Sequence, residues 1–227
     1  MRQTTATVAV VIASTLLTGC GHTAGTAKPV STPALIPRPL VERELPGLLL
    51  TPDQINPIMG STAMSVVKDQ ATMSDNSGTL APPECLQLDD AAETTIYANS
   101  GSWAEHEQTL NDGDKLTHYL KQAVVLFPTV ERAKQFFDNS AQQWSACSQF
   151  THLQSQTQWS VGTIANANDI LSTTVTELNA AAPGRGCGRA VAQKNNVIID
   201  INTCSPEPGD TAVKAAQQIA ANVAARW

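Results

Sequence analysis

A cysteine near the amino terminus is the first residue whose neighbours suggest a defined chemistry. The sequence Leu17-Thr18-Gly19-Cys20 follows a basic residue, Arg2, and an apolar run over residues 8–17. A charged start, a short hydrophobic segment and a small-residue cleavage site are typical of an export signal. Leu-x-Gly-Cys resembles the bacterial lipobox, whose thiol accepts a diacylglyceryl group. The sequence predicts a signal peptide over residues 1–19 and lipidation of Cys20; the alternative is an ordinary signal peptide in which this cysteine is coincidental.

The other four cysteines are predicted to form disulfides. Their number is even and the export signal places them in an oxidising compartment, where pairing is the default. The sequence has no Cys-x-x-Cys, so a zinc site or a thioredoxin-like redox centre is not expected. The four residues allow three pairings: they are Cys85, Cys147, Cys187 and Cys204.

The spacing around Asn195-Asn196 selects one of these pairings. Residues 187–194 and 197–204 are strand-like, and the two asparagines tolerate the positive φ of a tight hairpin turn. Counted outward from this turn, Cys187 falls opposite Cys204 as a non-hydrogen-bonded pair, with Cα atoms about 4.5 Å apart, within disulfide reach. The hairpin therefore predicts Cys187–Cys204 and, by elimination, Cys85–Cys147.

The same hairpin brings three polar residues together. Arg189 lies opposite Asn202 and diagonal to Asp200, on the face that carries the disulfide. On a rigid sheet these three side chains could line a ligand-binding cleft. The simpler expectation is a solvated outer face with a weak ion pair.

Signals for catalysis or for metal binding are weak. Gly-x-Ser-x-Gly and His-Glu-x-x-His are absent from the sequence. The imidazole bases available to the domain are His106, His118 and His152. Residues 111–114, Asn-Asp-Gly-Asp, lack the remaining ligands of a calcium loop and are better explained as a hairpin turn. No enzymatic activity, cofactor or metal ion is expected.

The composition is that of a globular protein with an acidic surface. The chain has 227 residues, is 42% hydrophobic and carries a formal net charge of −6. A nucleic-acid partner is not expected, because such proteins present a basic patch. An acidic domain does not bind anionic lipid head groups either, so the membrane contact is assigned to the lipid anchor. Residues 20–46, rich in Pro, Ala and Thr, are predicted to be an extended stalk.

The elements that would position these residues can be placed along the chain. Thr51 and Gln54 form a capping box for a helix that Pro57 and Gly60 should keep short. Thr129 caps a longer helix with an apolar stripe that includes Cys147, and Asp210 caps a closing helix from Thr211 to about Arg226. An irregular loop covers residues 73–84. The predicted strands are residues 94–98, 103–110, 116–127, 158–164, 170–177, 187–194 and 197–204.

Several segments, taken in order, resemble a known family. The resemblance covers about residues 46–226 and is to the PknH-like extracellular sensor domain of mycobacterial receptor kinases, which also occurs alone in mycobacterial lipoproteins. The sequence lacks the kinase signatures His-Arg-Asp and Asp-Phe-Gly and a transmembrane helix. The segments are residues 48–56 (LLLTPDQIN), 81–85 (APPEC), 122–128 (QAVVLFP), 141–147 (AQQWSAC) and 195–202 (NNVIIDIN).

The resemblance implies a fold and a kind of function for residues 47–227. The fold would be α+β, a twisted and mainly antiparallel sheet with helices packed on it, two disulfides in the pairing above and a cleft for an unidentified ligand. The expected function is a non-catalytic ligand-binding or sensor-like lipoprotein of the cell envelope. The alternatives are a module that docks on another envelope protein and, less favoured, an exported hydrolase.

Overall fold

The structure is a computed structural model that describes residues 37–114, 116–180 and 185–226. The predicted signal peptide, Cys20 and residues 20–36 of the predicted stalk lie outside these ranges. Within them, the helices are too short or too polar to cross a membrane.

One antiparallel sheet organises the domain. Its strands follow the order β1-β3-β4-β10-β9-β8-β6-β5-β2, with β7 paired to β8. The β9–β10 hairpin is therefore in the middle, covered on both faces. The strands are β1 (Ser65–Gln70), β2 (Leu80–Ala81), β3 (Ala104–Asn111), β4 (Tyr119–Leu126), β5 (Gln149–His152), β6 (Gln158–Val161), β7 (Ala165–Ala167), β8 (Ile170–Leu178), β9 (Gly186–Lys194) and β10 (Val197–Ser205).

Helices cover both faces of the sheet, which confirms the predicted α+β fold. The first core contains residues of α1 and α5, and the second contains residues of α2, α3 and α4. Alternation along β10 sends Ile199 to the first core and Ile198 to the second. The helices are α1 (Pro52–Met59), α2 (Leu86–Asp89), α3 (Thr94–Tyr97), α4 (Val130–Gln143) and α5 (Thr211–Ala224).

The folded domain begins about ten residues before the predicted boundary at residue 47. Leu40 and Leu45, assigned to the stalk, are buried in the first core. The side chain of Asn196, in the hairpin turn, accepts a hydrogen bond from the Leu40 amide at 2.8 Å and donates one to its carbonyl at 3.1 Å. The proline-rich composition concealed these two apolar anchors, so the part of the stalk prediction that covers residues 37–46 is wrong.

Both predicted disulfides, Cys187–Cys204 from the hairpin register and Cys85–Cys147 by elimination, are confirmed. Cys187 and Cys204 are directly paired in the β9–β10 ladder and are bonded, with Cα atoms 4.0 Å apart. Cys85 and Cys147 form the second disulfide, with a Cα separation of 5.3 Å. The first disulfide clamps the open end of the central hairpin. The second attaches the segment before α2 to the end of α4.

The helix termini agree in part with the sequence. The Thr51 amide donates to Gln54 Oε1 at 3.0 Å, as the capping box predicts, but α1 continues through Pro57 to Met59 before Gly60 ends it with a φ of 67°. Thr129 caps α4 by accepting from the Arg132 amide at 3.2 Å. The Asp210 side chain makes no capping hydrogen bond to α5.

Short elements were the least predictable. The predicted strand at residues 94–98 is replaced by the helical turn α3, Thr94–Tyr97, because this turn carries the Tyr97 ring onto Phe136, with ring centroids 4.4 Å apart. Tertiary packing thus overrides the β preference of Thr-Thr-Ile-Tyr. The strands β1, β2, β5 and β7 were missed. Each is short or exposed and lies outside the central four strands.

Candidate functional site

A cleft of about 600 Å³ opens beside the disulfide-clamped end of the central hairpin. The pairs Cys187–Cys204 and Asp89–Asp90 line it, together with Asn202 from β10. It lies in the size range of small-molecule sites. Further lining residues come from neighbouring strands and loops: Asn76, Thr79, Tyr119, His152, Ser155, Thr157, Trp159, Glu177 and Arg185.

The residue register explains why polar groups meet at this end of the sheet. Asn202 pairs with Arg189 on one side and with Lys121 on the other. The neighbouring row places Asp200 beside Ala123, which pairs with Glu107 of β3. Because side chains alternate along each strand, these polar residues share the face that carries the second core. They form a polar band across the sheet between that core and the cleft.

Asn202 holds the floor of the cleft in place. Its side-chain amide donates to the Asp89 carbonyl at 2.8 Å and to Asp90 Oδ1 at 3.3 Å. Both acceptors lie at the end of α2, so Asn202 fixes this helix end against β10. Of the three residues predicted to bind a ligand, Asn202 is the one that lines the cleft.

The other two predicted residues lie deeper in the protein. Arg189 and Asp200 are 1% and 3% exposed, and Arg189 Nη2 lies 2.9 Å from Asp200 Oδ1. The guanidinium donates to the carbonyls of Gln87 and Ile201 and lies over the Trp144 ring, 5.8 Å from its centroid. The expected solvated face with a weak ion pair is therefore wrong.

Asp200 is also surrounded by protein donors. Its Oδ2 accepts hydrogen bonds from the Ala92 amide at 2.9 Å and from the Tyr97 hydroxyl at 3.0 Å. Burial raises the pKa of Tyr97 well above its usual value, and the neighbouring Asp200 charge adds to this, so the phenol remains a donor. The Arg189–Asp200 pair thus connects the hairpin to α2 and α3.

His152 and Asp89 form a polar pair within the cleft. His152 Nε2 lies 2.7 Å from Asp89 Oδ1, and the imidazole lies beside Trp159, with ring centroids 5.6 Å apart. The hydrogen bond to Asp89 raises the pKa of His152 more than its partial burial lowers it. The pair therefore favours the protonated imidazole next to a carboxylate.

The other two histidines of the described residues lie outside the cleft lining. His106 pairs with Asp69 at 2.8 Å and His118 with Asp112 at 2.7 Å. Across the described ranges, His152 is hydrogen bonded through its ring to Asp89 and to no serine. The same ranges contain no group of three or more side chains placed to hold a metal ion.

A buried lysine organises the acidic groups beneath the cleft. Lys121 is 2% exposed, and its Nζ lies 3.2 Å from Asp90 Oδ2, 3.5 Å from Glu107 Oε2 and 3.8 Å from Glu93 Oε1. Burial lowers the pKa of Lys121, but the three carboxylates more than offset this and raise it overall. Sequence reasoning missed this cluster, although a lysine two residues before the buried apolar run at residues 123–127 was a usable signal.

Lys121 and its partners Asp90, Glu93 and Glu107 are called the lysine cluster below. Glu93 connects this cluster to the cleft wall. Its carboxylate accepts hydrogen bonds from both the backbone and the side-chain amide of Asn76, each at 2.7 Å. Asn76 lines the cleft. The lysine cluster therefore supports the cleft from below through Asp90 and from the side through Glu93.

Glu105 is the least compensated acid in this region. The side chain is buried, and neither carboxylate oxygen has a hydrogen-bond partner among the described residues. Burial, followed by the charge of Glu107, raises the pKa of Glu105 to about 7 from 4.5. Charging Glu105 in the folded protein is therefore unfavourable.

Replacing Glu105 with glutamine should stabilise the protein at alkaline pH. A raised folded-state pKa means that stability present below pH 4.5 is lost as the pH rises through about 7. Glutamine cannot ionise, so the advantage of Glu105→Gln should grow by roughly 3 kcal/mol between pH 4.5 and pH 8. Urea unfolding at a series of pH values measures this. The exposed substitution Glu42→Gln is the control, and a pH-independent difference for Glu105→Gln would contradict the argument.

Comparison with known proteins identifies the family. The model of the PknH-like extracellular domain matches residues 40–222. The chain is 30% identical over 196 residues to the serine/threonine-protein kinase PknH of Mycobacterium bovis and of Mycobacterium tuberculosis. These matches cover 84% of this chain but 32% and 30% of the two kinases, so the chain spans about a third of the length of these relatives.

A solved structure agrees with the sequence matches. The crystal structure of the extracellular domain of PknH from Mycobacterium tuberculosis superposes with a TM-score of 0.78 at 28% identity, covering 83% of this chain and 99% of that domain. The similarity thus includes the whole of the solved domain. On the family match, the identity and the shared fold, this chain belongs to the PknH-like extracellular domain family.

Proposed function

We propose that this protein is an exported, lipid-anchored, non-catalytic binding protein of the cell envelope, sensor-like in character, and that the cleft is its ligand site. The observation that carries the proposal is the cleft itself. Its volume of about 600 Å³ suits a small ligand, and its polar groups are fixed by Asn202 and by the lysine cluster. Such a site is preorganised, which reduces the entropic cost of binding.

The anchor half of the proposal rests on the sequence and on the family. The tetrapeptide at residues 17–20 has the pattern of a lipidation site, and the family is that of an extracellular domain. Lipidation of Cys20 would hold the domain on the outer side of the membrane without a spanning helix. Residues 21–36 would then separate the domain from the bilayer.

Two variants test the two halves of this proposal. The full chain, expressed with its signal and extracted in mild detergent, should carry a covalent palmitate label, whereas Cys20→Ser should not. Mass spectrometry of co-purifying compounds should find a small molecule that Ser155→Trp loses, because this substitution places an indole in the cleft. Gln154→Trp, one residue away and exposed outside the lining, is the matched control. Label on Cys20→Ser, or equal retention by both tryptophan variants, would contradict the proposal.

A second candidate function rests on an edge strand that the described residues leave unpaired on one side. Strand β1 is at one end of the strand order, and Val66 and Val67 on it are 39% and 55% exposed. An exposed edge strand can pair with a partner chain, which favours docking on another envelope protein. This alternative would replace the first if the extract yielded a protein whose capture Val67→Lys abolishes, and no small molecule.

A further inference from the structure

We propose that the cleft binds a neutral, hydroxyl-rich ligand with the chemistry of a glycan. This inference rests on the proposed function, since it names the ligand class of the same site. It is argued from how the charges of the lining are paired, from the hydrogen-bonding groups that remain and from the apolar surface beside them.

Among the described residues, the charged side chains of the lining occur in opposite-charge pairs. Asp89 pairs with His152 at 2.7 Å, and Glu177 lies 3.8 Å from Arg185. Asp90 pairs with the buried Lys121 at 3.2 Å. A ligand with a strong charge would have to compete with one of these internal partners. The arrangement favours a ligand that uses these groups as donors and acceptors and brings no charge of its own.

These ion pairs do not use all of the hydrogen-bond donors and acceptors of the lining. The imidazole of His152 uses Oδ1 of Asp89, so Oδ2 remains an acceptor. The Thr79 hydroxyl donates to the Asn76 carbonyl at 2.7 Å and can still accept, and the Ser155 hydroxyl shares a hydrogen bond with Thr157 Oγ1 at 2.8 Å, in which either hydroxyl can donate. A sugar hydroxyl is likewise a donor and an acceptor at once. A lining that combines carboxylates, amides and hydroxyls can therefore satisfy several vicinal hydroxyls.

An apolar surface lies next to these polar groups. Leu116 is 60% exposed at the cleft, and the largely buried Trp159, 8% exposed, contributes to the lining beside His152. Sugar rings present apolar C–H faces between their hydroxyls, and aromatic or aliphatic side chains can cover them. The cleft volume of about 600 Å³ accommodates a few sugar rings.

Nuclear magnetic resonance of residues 20–227, the chain without its predicted signal peptide, tests the ligand class. This protein carries Cys20→Ser. The probes are neutral glucose and arabinose oligosaccharides, the same glucose oligosaccharide with a terminal phosphate, inorganic phosphate and 1,5-diaminopentane. The indole resonance of Trp159 reports on the cleft. Trp103, which is 56% exposed and does not line the cleft, is the internal control.

The expected result is a saturable shift of the Trp159 indole by a neutral oligosaccharide, with no shift at Trp103. The phosphate should add no affinity, Ser155→Trp should weaken binding by about tenfold or more, and Gln154→Trp should leave it unchanged. Shifts produced by the phosphate or the diamine alone would overturn the glycan assignment, and so would no shift from any probe. If a charged probe bound and Ser155→Trp abolished that binding, the proposed cleft function would survive while this inference failed.

Discussion

Replacing Arg189 with methionine is expected to lower the free energy of unfolding by about 3–5 kcal/mol. The substitution keeps the apolar stem but removes the cation 2.9 Å from Asp200, and Asp200 is 3% exposed. It also leaves the carbonyls of Gln87 and Ile201 without their guanidinium donor. A buried carboxylate without its counter-charge is the main source of the loss.

Denaturant unfolding with both disulfides intact measures the effect. Lys134→Met is the matched control, because Lys134 and Asp138 form an exposed ion pair on α4, with side chains 63% and 50% accessible. This substitution should change the free energy of unfolding by less than about 1 kcal/mol. The double variant Arg189→Met/Asp200→Asn should recover much of the loss, since it removes both charges and keeps an oxygen that can accept from the Ala92 amide and the Tyr97 hydroxyl. A loss below about 1 kcal/mol for Arg189→Met would show that the pair is solvated after all.

The central hairpin shows how much of this fold local sequence can determine. Two asparagines between two strand-like runs set the register, the register places Cys187 opposite Cys204, and one disulfide then leaves a single partner for Cys85. Each step depends on neighbours in the chain or on strict alternation. The capping of α4 by Thr129 is local in the same way.

The candidate site could be predicted only in part, because its cover comes from distant segments. Register alone brings Arg189, Asp200 and Asn202 together, but it does not show which face is covered. The Arg189 partner Gln87 is 102 residues away and the Asp200 partner Tyr97 is 103 residues away. Helices α2 and α3 are four residues each, too short for a periodic signal. The cleft therefore depends on elements that pattern analysis could not place.

Lys121 is the residue whose sequence context should have been more informative. It lies in β4 shortly before the fully buried residues 123–127. A lysine in a central strand must either extend to solvent or meet carboxylates, because a buried ammonium without a partner is too costly. The acidic partners came from β3 and from the loop after α2, so the cluster itself required the tertiary fold.

Replacing Lys121 with methionine is expected to lower the free energy of unfolding by about 3–5 kcal/mol at pH 8. The ammonium is the shared counter-charge of Asp90, Glu93 and Glu107, and Glu93 and Glu107 are each 1% exposed. Burial already raises the pKa of Glu93 and of Glu107, and without the lysine both should rise further. Because a raised folded-state pKa favours proton uptake on folding, the variant should regain stability as the pH falls from 8 to 5.

The pH dependence separates this electrostatic cause from a loss of packing. Urea unfolding of Lys121→Met and of the unsubstituted protein at pH 8 and pH 5 should show a difference that shrinks at the lower pH. Lys68→Met is the matched control. Lys68 lies 3.9 Å from Glu107 but is 49% exposed, so its substitution should change the free energy of unfolding by less than about 1 kcal/mol. An equal loss at both pH values would mean that Lys121 acts through its aliphatic stem. If charge holds the cleft floor, the floor of Lys121→Met should loosen selectively above neutral pH, because Glu93 and Glu107 are then ionised without the cation that they share with Asp90.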